Sequence, residues 1–224
     1  MAEVALCTSM TSDLSLVVGI LGAESTGKST LARDLCLVLQ SKGMTAAVVP
    51  EVLREFCVAN GRTPMAHEQA DLAREQSRRI ESARQTHSVV VSDTTALMTA
   101  IYSEFIFHDI SLYAEALEAH RQVDLTLVTA LDLPWVSDGI QRDGEHVREP
   151  VDHLIRRALE RGGLGHSLVS GQGRDRLLSA LRAVDHALLV QRARRAGVPR
   201  KPWRWVCEKC DDADCEQHWL PGAT

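Results

Sequence analysis

The sequence predicts an α/β fold: five strand segments in a mostly parallel sheet, flanked by helices. Two observations carry that expectation. Short apolar, β-branched runs alternate with helical stretches along the chain, and the first run passes at once into a glycine-containing loop and then a helical pattern. Parallel strands need crossover connections, which helices usually supply. A chain of 224 residues has room for one such domain plus a short appendage, placed here at 1–196 and 197–224.

The elements follow in order. Leu16 to Leu21 (LVVGIL) is a continuous apolar run of strand length, and apolar positions at Leu31, Leu35, Leu37 and Leu39 mark the helix after it. Thr45 to Val49 is a second strand, and Glu51 to Val58 a short helix ending before Asn60-Gly61. Met65 to Thr86 favours helix, and its few apolar residues predict an exposed helix covering one side of the sheet. Ser88 to Val91 and Leu125 to Val128 are the third and fourth strands, with helical stretches between them at Ala96 to Phe107 and Leu112 to His120. His166 to Ser170 is a short fifth strand. Gly173 to Arg195 is a long last helix with apolar positions at Leu177, Leu178, Leu181, Val184, Leu188 and Leu189. From Gly197 the composition turns to Pro, Trp, Cys and charge, which marks a separate tail.

Composition excludes several classes of function. An apolar content of 45% with 25% charged residues is that of a globular protein and not of a disordered one. A formal net charge of −5 argues against nucleic-acid binding by the whole surface. The first residues carry no basic start before their apolar stretch, and no apolar run reaches the length of a membrane span, so a cytoplasmic location is expected. Of the six cysteines, Cys7, Cys36 and Cys57 are scattered and read as buried or free thiols, whereas Cys207, Cys210 and Cys215 cluster near the C-terminus.

The loop after the first strand is Gly22-Ala23-Glu24-Ser25-Thr26-Gly27-Lys28-Ser29, a full match to G-x-x-x-x-G-K-[ST] between a strand and a helix. The glycines let the backbone curl so that successive N–H groups point at a phosphate, and the helix N-terminus adds its positive end. Lys28 reaches the β and γ oxygens, and Ser29 offers a hydroxyl to Mg²⁺, with Thr30 next in the same turn. ATP and Mg²⁺ are the cofactors expected.

A carboxylate near the metal is also needed, and Asp93 stands after the third strand, at the edge where such sheets bind ligands. Asp93 reads either as that group, serving Mg²⁺ and catalysis, or as the cap of the helix starting at Thr94. Glu51 and Arg54, one helical turn apart after the second strand, read either as a substrate-binding pair or as a surface ion pair. The segment Asp132 to Gly144 leads into an Arg-rich helix bearing Arg148, Arg156 and Arg157. Lids often close at this point, and Arg142 and Arg148 are the candidates to neutralise charge on a transferred phosphoryl group. Gly171-Gln172-Gly173 is placed either to pass an adenine ring through backbone contacts of Gly171 and Gly173 or simply to turn the chain.

In the tail, Cys207, Cys210, Cys215 and His218 offer four ligands within twelve residues, which suits a structural Zn²⁺ in a closed tetrahedral site. The alternative is a reduced, metal-free tail. Upstream, Arg200, Lys201 and Arg204 surround Trp203 and Trp205, a pattern that suits either RNA or single-stranded DNA or packing on the main domain. Acidic residues within the cysteine cluster oppose phosphates, and packing is the expectation.

Together these residues resemble the ribosylnicotinamide kinase domain of NadR and its ATPase relatives among the P-loop kinases. The resemblance spans roughly residues 16–190 and rests on GAESTGKSTLA at Gly22 to Ala32, on Glu51 and Arg54, on Asp93-Thr94-Thr95, and on PWVSDGIQR at Pro134 to Arg142. It implies transfer of the ATP γ-phosphate to a ribose hydroxyl of a nucleoside such as nicotinamide riboside, with Mg²⁺ required. It further implies that Asp93 orients or deprotonates the hydroxyl, that Glu51 and Arg54 hold the acceptor, and that Trp135 and Asp138 lie at the substrate. The family's D-T-D reads Asp93-Thr94-Thr95 here, without the second carboxylate, and neither an adenylyltransferase domain nor a helix-turn-helix is expected. The competing reading is a P-loop ATPase or switch that binds nucleic acid or a protein through its tail.

Overall fold

The computed structural model describes residues 15–136 and 144–197. Its elements run β1 (Leu16–Leu21), α1 (Lys28–Ser41), β2 (Ala46–Val49), α2 (Val52–Asn60), α3 (Gln69–Arg84), β3 (Val89–Asp93), α4 (Ala96–Phe107), α5 (Tyr113–His120), β4 (Leu125–Thr129), α6 (Arg148–Gly162), β5 (Ser167–Val169) and α7 (Gly173–Arg195). Single 3-10 turns at Ala66–Glu68 and Glu145–Val147 precede α3 and α6. The strands form one five-stranded sheet in the order β2-β3-β1-β4-β5, and every adjacent pair is parallel.

All six residues of β1 are buried, as a strand must be when it sits mid-sheet with helices on both faces. Alternation then sorts the side chains. Leu16, Val18 and Ile20 pack with Leu31, Leu35 and Leu39 of α1 and with Ala180, Leu181 and Val184 of α7. On the opposite face Leu21 packs with Leu97 and Ile101 of α4 and with Val151, Ile155 and Leu159 of α6, while Val17 and Val90 meet Ile80 and Ala83 of α3. In α7, Leu178 and Leu189 face solvent, so its buried stripe is narrower than its leucines suggest.

The strand order reverses at β1: the chain moves to one side for β2 and β3, then to the other for β4 and β5. The carboxyl ends of the strands beside such a reversal form a crevice where ligands bind. Register places Asp93 of β3 opposite Ile20, two residues before the phosphate loop begins. Compactness divides the chain at Leu189. The first unit holds the sheet and its helices. The second, from Val190, is described as far as Gly197 and comprises the last turns of α7.

Candidate functional site

Between β1 and α1 the loop is cut to a tight curl. Ser25 (φ 56°) and Gly27 (φ 75°) both take left-handed conformations, the second as the residue that opens α1. The Ala23 carbonyl accepts from Thr26 Oγ1 at 2.8 Å and from Lys28 Nζ at 2.9 Å, so the ammonium is folded into the curl beside its amides. A Cβ on Gly22 would lie 1.9 Å from Thr129 Oγ1, so only glycine lets β4 approach this closely. Thr129 Oγ1 donates to Thr26 Oγ1 at 2.7 Å and continues the relay from β4 into the loop.

Asp93 closes β3 and is only 5% exposed, yet its Oδ1 has no hydrogen-bond partner among the described residues. The helix after it does not use it. α4 starts at Ala96, and Thr95 is its cap, the Thr95 hydroxyl accepting from the Leu97 amide at 3.3 Å. The cap of α4 is therefore Thr95 and not Asp93. Thr94, between them, has φ 77°, and its amide donates to the Ile20 carbonyl at 3.2 Å. A non-glycine residue held there costs about 1–3 kcal/mol, a strain typical of functional sites. Ser92 and Gln76 hold the turn: Ser92 Oγ donates to the Thr94 carbonyl, and Gln76 Nε2 donates to Ser92 Oγ at 3.2 Å.

Gln76 also sets the neighbouring β2 edge. Its Oε1 accepts from the Val52 amide at 2.8 Å and its Nε2 donates to the Pro50 carbonyl at 3.2 Å, so Glu51 is fixed between two anchored residues. Glu51 and Arg54 pair, with Arg54 Nε 3.5 Å from Glu51 Oε2, and the Glu51 side chain is 11% exposed against 41% for Arg54. Burial pushes the Glu51 carboxyl above its ordinary range, and the Asp93 charge adds to this, while Lys28 and Arg54 pull the other way. Lys28, Glu51, Arg54 and Asp93 are thus brought into one electrostatic neighbourhood.

A cleft of about 480 Å³ opens from the loop residues Glu24, Ser25 and Lys28 past Glu51, Arg54 and Gln69. Its far walls are apolar, from Leu53, Met65, Tyr102, Ile106 and Phe107. One wall is the Arg62–Met65 stretch, pinned by Glu68, whose two oxygens accept from Arg62 at 2.7 Å each and from the Met65 amide at 2.7 Å. Arg62 and the Met65 amide together hold the Glu68 carboxyl down at about 2.

A second network lies on the β4 side. Arg176, 4% exposed in the first turn of α7, donates Nη2 to the Thr26 carbonyl at 2.8 Å and to Ala130 at 3.1 Å, and Nη1 to Gly171 at 2.7 Å. Nη1 also meets Asp132 Oδ1 at 2.7 Å, and Asp132 Oδ2 accepts from the Gly171 amide at 2.6 Å. Burial alone would raise the Asp132 carboxyl, but Arg176 and the Gly171 amide outweigh it and leave it low. Both backbone groups of Gly171 are therefore engaged within the protein, and of the expected adenine contacts only Gly173, at the start of α7, has open space beside it.

Arg148 is 5% exposed and donates Nη2 to the Leu133 carbonyl at 2.8 Å, which ties α6 to the segment after β4. Val136 exchanges two hydrogen bonds with Ser25 Oγ, its amide donating at 2.8 Å and its carbonyl accepting at 3.2 Å. Trp135 is half-buried and does not line the cleft. Asp138 and Arg142 lie outside the described residues, as do Cys207, Cys210, Cys215 and His218.

For Mg²⁺, the residues present fit. Ser29 in the first turn of α1 and the partnerless Asp93 oxygen are hard oxygen donors, and Mg²⁺ characteristically takes one or two carboxylates and fills its remaining positions from phosphates and water. No cluster of three or more His, Cys, Asp or Glu suited to a metal occurs among the described residues.

Sequence reasoning missed Gln69, Gln76, Arg62 and Arg176. None belongs to a local motif; Gln76, Arg62 and Arg176 act through partners distant in the chain or across a turn, and Gln69 only lines the cleft.

In structure, the chain is similar to NadR protein in complex with NAD and AMP-PNP, with a TM-score of 0.65 at 20% identity over 87% of this chain and 53% of that one. NadR protein in complex with NR gives a TM-score of 0.65 at 23% identity over 80% and 52%. Thymidylate kinase from Ehrlichia chaffeensis gives 0.54 at 13% identity over 77% and 98%. The chain spans about half the length of the NadR chains. No curated protein matches it in sequence. A family model, the AAA domain, matches residues 17–176, most of the chain, and the chain belongs to that family.

Proposed function

We propose that this chain is a Mg²⁺-dependent kinase that transfers the γ-phosphate of ATP to a hydroxyl of a nucleoside. The observation that carries the reading is the cleft opening off Lys28 with a buried carboxylate, Glu51, beside it. Hydrolysis needs room for one water; a cleft of about 480 Å³ with apolar and aromatic walls suits a ring-bearing acceptor.

In this reading the Gly22–Thr30 loop holds the phosphates, and Lys28 exchanges the Ala23 carbonyl for phosphate oxygens. Ser29 and Asp93 hold Mg²⁺, which supplies charge neutralisation at the phosphates. Glu51, its carboxyl raised by burial, orients the acceptor hydroxyl and takes its proton, with Asp93 on the metal side. A nucleoside is favoured over a nucleoside monophosphate because the cleft's arginines are matched by acid: Arg54 faces Glu51, and Arg62 is held by Glu68. A nicotinamide riboside-like acceptor is the first to test, since NadR in complex with NR shares this fold.

The test is ADP release from Mg-ATP against a panel of nucleosides that includes nicotinamide riboside, with single-stranded RNA and DNA as separate arms and Lys28→Ala as control. Release that requires a nucleoside and vanishes in the control supports the kinase. Release raised by nucleic acid and indifferent to every nucleoside overturns it.

A further inference from the structure

Helix α3 buries a polar stripe: Gln69, Ala73 and Gln76, at helical spacing on one face. The two glutamines are treated differently. Gln76, 2% exposed, has its oxygen engaged by the Val52 amide and its nitrogen by Pro50 and Ser92. Gln69, 1% exposed, has an Oε1 with no partner among the described residues. A buried acceptor left unmade costs roughly 1–3 kcal/mol, and such groups are few in native proteins. Gln69 is at the same time a lining residue of the cleft, as are Met65, Tyr102 and Phe107. Nothing about the helix requires glutamine at this point: Ala73 shows that the stripe accepts an apolar residue.

We infer that Gln69 reads the ring end of the acceptor, its Oε1 accepting a hydrogen bond from an N–H group carried by the ring. The acceptor class is then a nucleoside whose base bears a carboxamide or an exocyclic amine, lying against the aromatic wall with its ribose toward Glu51 and Lys28. This rests on the proposed kinase reading for the position of the ribose, but the hydrogen bond itself is independent of phosphoryl transfer. A site built to bond a polar group discriminates strongly against an analogue that lacks it, because its own buried atom is then left unpaired.

Two matched pairs test it: nicotinamide riboside against nicotinate riboside, and adenosine against purine riboside. Binding is measured by calorimetry without ATP, and kcat/KM by ADP release, on the full chain, on Gln69→Met and on Gln69→Glu, which keeps an acceptor oxygen. The expected result is a preference of roughly ten- to hundredfold for the donor-bearing member of at least one pair in the wild type. That preference falls toward one in Gln69→Met and persists in Gln69→Glu. A wild-type ratio near one in both pairs, or a preference unchanged in Gln69→Met, overturns the inference while transfer to any nucleoside leaves the kinase reading intact. Preferential binding lost in Gln69→Met, with no transfer to any member, keeps the inference and removes the kinase reading. Absence of both binding and transfer overturns both. If Gln69→Met does not fold, the wild-type ratios with Gln69→Glu decide.

Discussion

Arg176 donates a 2.8 Å hydrogen bond to the carbonyl of Thr26, 150 residues earlier in the chain, and so ties the first turn of α7 to the phosphate loop. The same guanidinium spans Ala130, Gly171 and Asp132, and one side chain thereby fixes the loop relative to the ends of β4 and β5. Removing it leaves buried carbonyls and a carboxylate without their donor. Arg176→Met is expected to destabilise the protein by about 2–4 kcal/mol, below the value for a fully buried pair because Asp132 is one-third exposed. Lysine lacks the planar fork that serves four partners, so Arg176→Lys recovers little of this. Denaturant melts measure the loss. Mg-ATP should restore part of it, since a ligand that binds only the folded loop shifts the equilibrium toward it.

Gly22 makes a sharper test of how the loop is built. An alanine there puts its methyl 1.9 Å from Thr129 Oγ1, an overlap that must move either the loop or β4. Gly22→Ala is expected to cost about 1–3 kcal/mol, as overpacked cores do, and to abolish detectable ATP binding. Thr129→Ala removes the clashing hydroxyl, with the Thr129 Cβ at 3.2 Å. The double variant should therefore be more stable than Gly22→Ala alone, although Thr129→Ala by itself is destabilising because Thr26 loses its donor. Simple additivity in a double-mutant cycle would count against the close approach.

These relationships also show what could be read from residues alone. Leu16–Leu21 announced a strand because a parallel strand covered on both faces is apolar throughout, and the Gly22–Ser29 pattern is local, so both were legible. β3 runs further than its apolar stretch: Ser92 and Asp93 are polar yet pair with Val49 and Ile20, since hydrogen bonding sets the strand and the site needs its end. The sparse apolar pattern of α3 correctly placed a helix but hid its buried face, which is largely glutamine. Arg176 carries no sequence signal, because its partners are backbone carbonyls brought near only by the fold. For Asp93 the chain offered two roles, and the cap of α4 is taken by Thr95.

Glu51 gives the pH dependence a direction. Its carboxyl is raised by burial and by Asp93, so the acid limb of kcat/KM should lie above the ordinary carboxylate range if Glu51 takes the acceptor proton. Arg54 opposes the shift, so Arg54→Ala should move the limb to higher pH, whereas Asp93→Asn, in its residual activity, should move it lower. Stability follows the same sign. A raised folded pKa means that the charged form is disfavoured in the fold, so Glu51→Gln should raise Tm at neutral pH. That gain shrinks as pH falls through the Glu51 pKa and the wild type becomes neutral too. Relief of a strained functional group commonly contributes about 0.5–2 kcal/mol. An acid limb unmoved by Arg54→Ala would assign the proton to another group.

His120 makes the opposite prediction. At 2% exposure it sits between two hydroxyls, Nδ1 2.9 Å from Thr95 Oγ1 and Nε2 2.9 Å from Thr126 Oγ1, and burial drives its pKa down to about 4. The unfolded chain takes up a proton near the ordinary histidine value of about 6.5, but the folded protein does so only near 4. Stability from this group is present above pH 6.5 and is lost as pH falls from there to about 4, by at most about 1.4 kcal/mol per pH unit. Because Thr95 also caps α4 beside Asp93, protonating His120 would disturb the turn that carries Asp93. His120→Gln keeps groups able to meet both threonines and removes the titration. Between pH 6.5 and 4 the wild type should therefore lose stability more steeply than His120→Gln in denaturant melts taken at half-unit intervals. Parallel slopes for the two proteins over that window would mean that His120 is protonated in the fold.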